Sequence, residues 1–380
     1  MSQAPVVIVG GGIAGCATAY YLALRSIPSI VVEQSCVAAA ASGKAGGFLA
    51  RGWGNGSSTQ LHERGYDLHV ELAATLGIAS YRRLETAQAE VGGRARGGGQ
   101  TLCPWLDGKV QVEEMDSDTA QVTPLELTTA LLDAAVASGF ATLRIAKCVG
   151  VRRAGGDSGA VVGIDLESGD SLACAQLVVA AGPWSCLLDD WLGIPRACPM
   201  EGIWSSSCVW EQQTAEVEAV AVSAPTAVFC GEDANHCHLE LYPRPATEAL
   251  PRGSIYACGF GSSEHMQLAD MRAGGKAATA QMVVADEKRV AAASKVTLLL
   301  QLRRSRCDAS ATPADVAAVA AADLVILFAA ADVCDDRAFA EARRGDKNPG
   351  VHASLPPGRA AGARSVRRVE RLRAICSNGR

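Results

Sequence analysis

The chain contains no Cys-x-x-Cys pair, few aromatic residues and no strong charge of either sign. Each shortage excludes something. Its 14 cysteines stand singly from Cys16 to Cys376, so neither a disulfide scaffold nor a zinc-ligand spacing is readable. Small buried thiols in a reducing compartment are expected instead. A net charge of -5 offers no basic surface to nucleic acid, and 5% aromatics offer no stacking platform for single strands. Long apolar runs are missing too. The best candidate, ADVAAVAAADLVILFAAADV at residues 314–333, carries Asp315, Asp323 and Asp332. Its dense part, Leu324 to Ala331, falls far short of the roughly 20 residues of a span, so no membrane helix is expected. The first strand starts about five residues in, which leaves no room for a targeting peptide and points to the cytoplasm. There the sequon Asn55-Gly56-Ser57 is irrelevant. At 380 residues the chain exceeds one ordinary core, so two domains are expected.

What the chain does have is glycine at its start. Val6-Val7-Ile8-Val9 is a continuous apolar run, as for a strand buried on both faces of a parallel sheet. It breaks into Gly10-Gly11-Gly12, and residues 14–24 follow as an apolar helix. In the spacing Gly10-x-Gly12-x-x-Gly15, Gly10 permits the tight turn and Gly12 a close approach to pyrophosphate. Gly15 lets the helix pack on the sheet. The helix amino terminus presents N–H groups and partial positive charge to phosphate. Ile27-Pro28 stops the helix, Ser29 to Val32 forms a second strand, and Glu33 ends it 18 residues after Gly15. That is the spacing of an acid that accepts ribose hydroxyls. A dinucleotide site follows, with NAD or FAD left open by this motif.

Two later segments narrow the choice. Residues 38–53, AAAASGKAGGFLARGW, form a loop of small residues able to lie against an extended ligand, where an NAD enzyme usually continues into another helix. LVVAAGPWSCLL, residues 177–188, is an apolar strand ending in glycine. Before it, Thr123 with Glu126 reads as a capping box on an amphipathic helix. Strands around 146–151 and 161–166 follow, turned at Gly155-Gly156-Asp157 and Ser168-Gly169-Asp170.

Together these segments resemble the FAD-dependent oxidoreductases of the D-amino-acid-oxidase type. ASGKAGGFLARGW, LELYPRP (239–245) and YACGFGSSE (256–264) resemble one largely uncharacterised eukaryotic subgroup. The resemblance spans roughly residues 5–300 and implies an α/β fold. In it, a glutathione-reductase-like FAD-binding Rossmann domain (1–80 and 120–196) is interleaved with a mixed-sheet α+β substrate domain (81–119 and 197–300). FAD is the implied cofactor, contacted by Gly10, Gly12, Ile13, Ala14, Gly15, Glu33, Ala41, Ser42, Gly43, Lys44, Gly46, Val149, Ala181, Gly182 and Trp184. The implied activity takes a hydride from a C–H beside an amine or hydroxyl of a small amino-acid-like substrate. Oxygen or another acceptor then reoxidises the flavin. The alternative is a non-catalytic protein, flavin-binding or flavin-free, acting as a regulatory or partner protein and lacking the C-terminal segment that closes the flavin end.

Four side chains are catalytic candidates. Lys44 lies in the loop that by resemblance runs beneath the flavin, where an ammonium stabilises negative charge. Arg51 offers a fork for a carboxylate, against a surface ion pair. Tyr242 and Arg244 lie on a strand whose alternation reads as half-buried, and Tyr-x-Arg there suits a carboxylate-bearing substrate, against a structural role at the strand edge. His236 and His238, two apart on that strand, have no third ligand in view, so no metal is expected.

The family's chain normally returns to the FAD domain near its end through a glycine-rich turn and a last helix. Residues 301–380 do not match that pattern. From Arg343 onward ten basic residues face two acidic ones and three prolines, which reads as a solvated or disordered tail. A departure from the native reading frame near residues 295–300 is the preferred explanation. A variant tail for an acidic protein partner is the other.

Overall fold

The computed structural model describes residues 4–91, 102–106, 110–155, 159–195, 197–211, 225–232, 236–246, 253–261, 263–291, 324–325 and 329–332. In chain order the early elements are β1 (Val6–Val9), α1 (Ile13–Ala23), β2 (Ser29–Glu33), α2 (Ala41–Lys44), β3 (Phe48–Ala50) and α3 (Thr59–Leu76). Then come β4 (Arg82–Val91), β5 (Val110–Gln121), α4 (Pro124–Ala137), β6 (Ala141–Ile145), β7 (Cys148–Arg153), β8 (Val161–Leu166), β9 (Ser171–Ala173) and β10 (Gln176–Val179). The 3-10 turn Gly182–Leu187 leads into α5 (Leu188–Leu192). The rest are β11 (Gly202–Ser206), β12 (Cys208–Glu211), β13 (Thr226–Cys230), β14 (Glu240–Arg244), β15 (Ser254–Cys258), β16 (Glu264–Met266), α6 (Leu268–Met271), β17 (Leu324–Val325) and β18 (Ala329–Asp332).

The chain divides into two compact units, Met1–Cys334 and Asp335–Arg380, and the second lies outside the described residues. In the first, β10, β1, β2 and β6 form a parallel sheet in that order. Every residue of β1 is buried, which accounts for its unbroken apolar run. Helix α1 buries Cys16, Ala19, Tyr20 and Ala23, the i, i+3, i+4, i+7 stripe of a helix with one inward face. That stripe packs with Leu127, Leu131 and Ala135 of α4 in one core cluster.

A second, mixed sheet runs β17-β12-β15-β14-β13-β4-β5-β3. It is antiparallel except where β13 lies parallel to β4. Trp105, Leu239, Leu241 and Ile255 anchor its core. A parallel sheet beside a larger mixed sheet is the α/β architecture expected. Two smaller sheets complete the unit: β7-β8-β9, and β16-β11-β18.

Several local expectations are corrected. Residues 38–53 are not plain loop, since they hold α2 and β3, and β3 pairs antiparallel with β5. The strand placed at 146–151 begins at Cys148, after a separate β6. β14 is buried on both faces, with Leu241, Tyr242 and Pro243 all enclosed, because Leu241 packs into one core cluster and Tyr242, on the opposite face, into another. His236 and His238 precede that strand, and both face Glu232, at 2.6 and 3.7 Å. In the 314–333 stretch the described residues form the short strands β17 and β18. No described helix is long and apolar enough to cross a membrane. The tail from Arg343 falls outside the described residues.

The capping box is also rewired. Thr123 precedes α4 but makes no side-chain cap. Glu126 instead accepts the N–H groups of Ala79 and Ser80 at 2.8 and 3.0 Å, and the Ser80 hydroxyl accepts the Thr123 N–H at 2.8 Å. The acid clamps the end of α3 to the start of α4, a contact across 46 residues that outcompetes the local one. Glu126→Ala should cost about 1–2 kcal/mol, read as a lowered urea midpoint with an unchanged slope.

Candidate active site

The turn after β1 is built by two glycines that cannot carry a side chain. Gly10 has φ +112°, and a Cβ there would lie 2.3 Å from the Ala180 carbonyl oxygen. At Gly15 a Cβ would sit 1.9 Å from the Gly10 carbonyl oxygen. Both pin α1 and β10 against the turn. Gly12 differs: its backbone is extended, and a Cβ would meet only the Ser42 side chain, at 3.0 Å. The first turn of α1 contains no acidic residue, so no side chain of the helix itself offsets its partial positive charge.

Above this turn opens a cavity of about 1100 Å³, at the large end for a small-molecule site. Gly10, Gly12, Ile13, Ala14, Glu33, Ala41, Ser42, Val149, Ala181, Gly182 and Trp184 share its wall. Gly15 and Gly43 lie behind it. A Cβ on Gly43 would strike the Ala38 carbonyl oxygen at 2.1 Å. Gly46 lines a different cavity. Glu33 Oε2 accepts the Gly11 N–H at 2.8 Å, and Oε1 accepts the Ser35 N–H and hydroxyl at 3.0 and 3.2 Å. The Ser42 hydroxyl accepts the Ile13 N–H at 2.9 Å, tying α2 to the positive end of α1.

A dinucleotide with FAD's chemistry fits these residues. The cavity floor is backbone and small side chains where a Cβ would intrude. Helix N–H groups suit its pyrophosphate, and Glu33 stands at the strand end suited to ribose. Bound there, FAD supplies a two-electron acceptor.

The second cavity, of about 410 Å³, lies on the mixed-sheet side of the loop that follows α2. Gly46, Gly47, Phe48, Glu240, Tyr242, Tyr256, Cys258 and Arg289 are among its walls. Phe48 stacks on Tyr242 at 5.4 Å between ring centroids, and Tyr242 on Tyr256 at 6.0 Å, both nearly parallel. The Arg244 guanidinium covers Tyr256, 4.4 Å from its centroid. Tyr242 donates its phenol hydrogen to Glu240, and burial together with that carboxylate pushes its pKa upward.

The four catalytic candidates are thus dispersed. Tyr242 faces the second cavity. Arg244 Nη2 donates to the Ala45 and Gly46 carbonyls, at 2.6 and 3.1 Å, and burial lowers its pKa to about 10. It holds the loop rather than reaching for a carboxylate. Arg51 is engaged by Asp67 in a half-exposed ion pair at 3.3 Å. Lys44 ends α2, and burial lowers its ammonium pKa. Sequence reading missed Glu240 and Cys258, which face each other across β14 and β15. Their only signal was position: Glu240, Tyr242 and Arg244 alternate onto one strand face. Among the described residues no group of three or more His, Cys, Asp or Glu is arranged to hold a metal.

Comparison with known proteins agrees with this geometry. "Putative oxidoreductase C1F5.03c" of Schizosaccharomyces pombe is 41% identical over 90 residues, 21% of this chain and 24% of the relative. "Putative oxidoreductase TDA3" of Saccharomyces cerevisiae is 42% identical over 94 residues, 22% of this chain and 17% of the relative. The matches therefore span less than a quarter of either relative's length. Among solved structures, glycine oxidase from Bacillus cereus superposes with a TM-score of 0.54 at 19% identity, covering 70% of this chain and 73% of that one. L-Proline dehydrogenase from P. horikoshii gives 0.58 at 16% identity, covering 87% and 81%. These likenesses establish the fold. The sequence model of the family described as "FAD dependent oxidoreductase" matches residues 5–270, and with the glycine turn, Glu33 and the cavity above them, the chain belongs to the FAD-dependent oxidoreductases of the DAO family.

Proposed function

We propose that this FAD-dependent oxidoreductase takes a hydride from a C–H beside an amine or hydroxyl of a small amino-acid-like substrate, with oxygen or another acceptor restoring the oxidised flavin. The observation that carries the reading is that one short segment borders two cavities: Ala39 to Ser42 line the larger and Ala45 to Phe48 the smaller. The larger, at the glycine turn, suits the dinucleotide. The smaller is walled by Phe48, Tyr242, Tyr256 and Phe260 together with Glu240, Arg289 and four serines, a mixed lining that offers a small molecule both ring surface and polar contacts. In this reading the residues of the larger cavity hold FAD. Lys44 supplies positive charge near the reacting ring, and Tyr242 shapes the substrate side. The interleaved domain boundaries given above belong to the same reading.

The visible spectrum of purified protein tests it. Flavin bands that bleach anaerobically with a small amine or hydroxy acid support the proposal. A second reading, a flavin-binding or flavin-free partner protein without turnover, draws on the chain after residue 300. Among the described residues the parallel sheet takes no strand beyond Val179, and β17 and β18 join the other sheets. Flavin bands that never bleach favour this second reading, and absence of flavin overturns the first.

Two variants probe the roles. Glu33→Gln should weaken FAD retention by about 1.5–3 kcal/mol, roughly ten- to hundredfold in Kd by equilibrium dialysis. Lys44→Met should slow reoxidation of the reduced flavin. Because burial lowers the Lys44 pKa, the wild-type rate should fall toward that of the variant as pH rises through a value below the ordinary 10.5 of lysine. A rate unchanged by Lys44→Met removes the role.

A further inference from the structure

The smaller cavity holds a carboxylate whose surroundings are not those of a structural ion pair. Glu240 opens β14, half-buried. Tyr242 donates to its Oε2, and the Cys258 thiol approaches the same oxygen at 3.5 Å. A phenol and a thiol satisfy lone pairs without neutralising charge. Among the described residues no basic side chain pairs with Glu240, and the arginines nearest the cavity are committed elsewhere. Arg244 donates to the Ala45 and Gly46 carbonyls and lies over Tyr256. Arg289 lines the cavity but pairs with Asp286 at 3.6 Å. A carboxylate drawn partly out of water without a counter-ion is costly, so the site is prepared for a cation. The rings of Tyr242, Tyr256 and Phe260 in the same wall add apolar surface for the carbon skeleton that carries such a cation.

Resting on the reading of this cavity as the substrate side, we infer that Glu240 is the residue that anchors the substrate's ammonium group. The cavity therefore selects protonated amines over hydroxy acids. Glu240 accepts N–H hydrogens from the ammonium, the aromatic rings cover its alkyl carbons, and Tyr242 and Cys258 fix the carboxylate's orientation. A hydroxy acid has no ammonium to offer Glu240, so its carboxylate would meet that charge uncompensated.

A pair of shape-matched probes tests this without turnover. tert-Butylammonium has no C–H on the carbon bearing nitrogen, so it binds without being oxidised, and pivalate is its anionic counterpart. Isothermal titration calorimetry on the protein as purified should show tert-butylammonium binding at least tenfold more tightly than pivalate. Glu240→Gln should abolish that preference, and Glu240→Asp should keep part of it. Far-UV circular dichroism confirms that each variant is folded. Should Glu240→Gln not fold, the wild-type preference decides. Equal affinity for the two probes, or a preference that survives in folded Glu240→Gln, would overturn the assignment. Calorimetry needs no flavin signal, so protein lacking flavin counts against the oxidoreductase reading while still reporting on Glu240.

Discussion

Gly10→Ala is expected to destabilise the protein by about 3–5 kcal/mol and to abolish flavin retention. Two costs add. The φ of +112° at Gly10 is a conformation that L side chains rarely adopt. The new methyl would also lie 2.3 Å from the Ala180 carbonyl oxygen, which is backbone and has no rotamer to escape into. Relief requires β1 and β10 to separate, at the expense of the Ala180 N–H to Val9 carbonyl bond of 2.8 Å. Such a loss is a large share of the stability of an ordinary domain. Gly12→Val is the contrasting variant. Its backbone is unstrained and its Cβ meets only the Ser42 side chain, so the fold should survive while flavin retention is lost. Chemical denaturation and flavin stoichiometry, measured on both, separate the two roles. Equal thermal midpoints for Gly10→Ala and wild type would refute the packing argument. Full flavin occupancy in Gly12→Val would remove Gly12 from the binding surface.

What could be read from the sequence was what is local. β1, the glycine turn, α1, β2 and Glu33 follow one another within 28 residues, and each glycine has a steric cause close in sequence. The family resemblance carried the reading from a dinucleotide to FAD. What failed was what depends on distant partners. Thr123 and Glu126 satisfy the capping-box pattern, yet the Ala79 and Ser80 N–H groups claim the acid. Tyr-x-Arg on β14 looked like a carboxylate clamp, yet Arg244 finds two carbonyls 199 and 198 residues away. Arg51 similarly meets Asp67 one helix later. Glu240 escaped notice because an acid on an alternating strand reads as the solvated face, and only the cluster that buries Tyr242 on that same face shows that it is packed over.

Arg244→Ala carries the second large effect, about 2–4 kcal/mol of destabilisation. The guanidinium makes two charged hydrogen bonds to the loop at Ala45 and Gly46, each worth about 1.5–3 kcal/mol. It also stacks on Tyr256. Desolvation offsets part of that gain and lowers its pKa to about 10. Between about pH 10 and the ordinary 12.5 of arginine, the unfolded chain then holds more protons at this site, so this group makes stability rise with pH, the opposite of a salt-bridged arginine. Arg244→Met removes that rise while keeping apolar bulk against Tyr256, so it should cost less than Arg244→Ala. The loop between α2 and β3 lines the smaller cavity and continues from the α2 residues Ala41 and Ser42 that line the larger, so releasing it should shift the flavin's visible bands as well as the urea midpoint. If neither moves in Arg244→Ala, the loop is held without the guanidinium. The Gln121 side-chain amide, 3.4 Å from the Gly46 carbonyl, and the Val122 N–H, 3.0 Å from the Gly47 carbonyl, would then be its effective anchors.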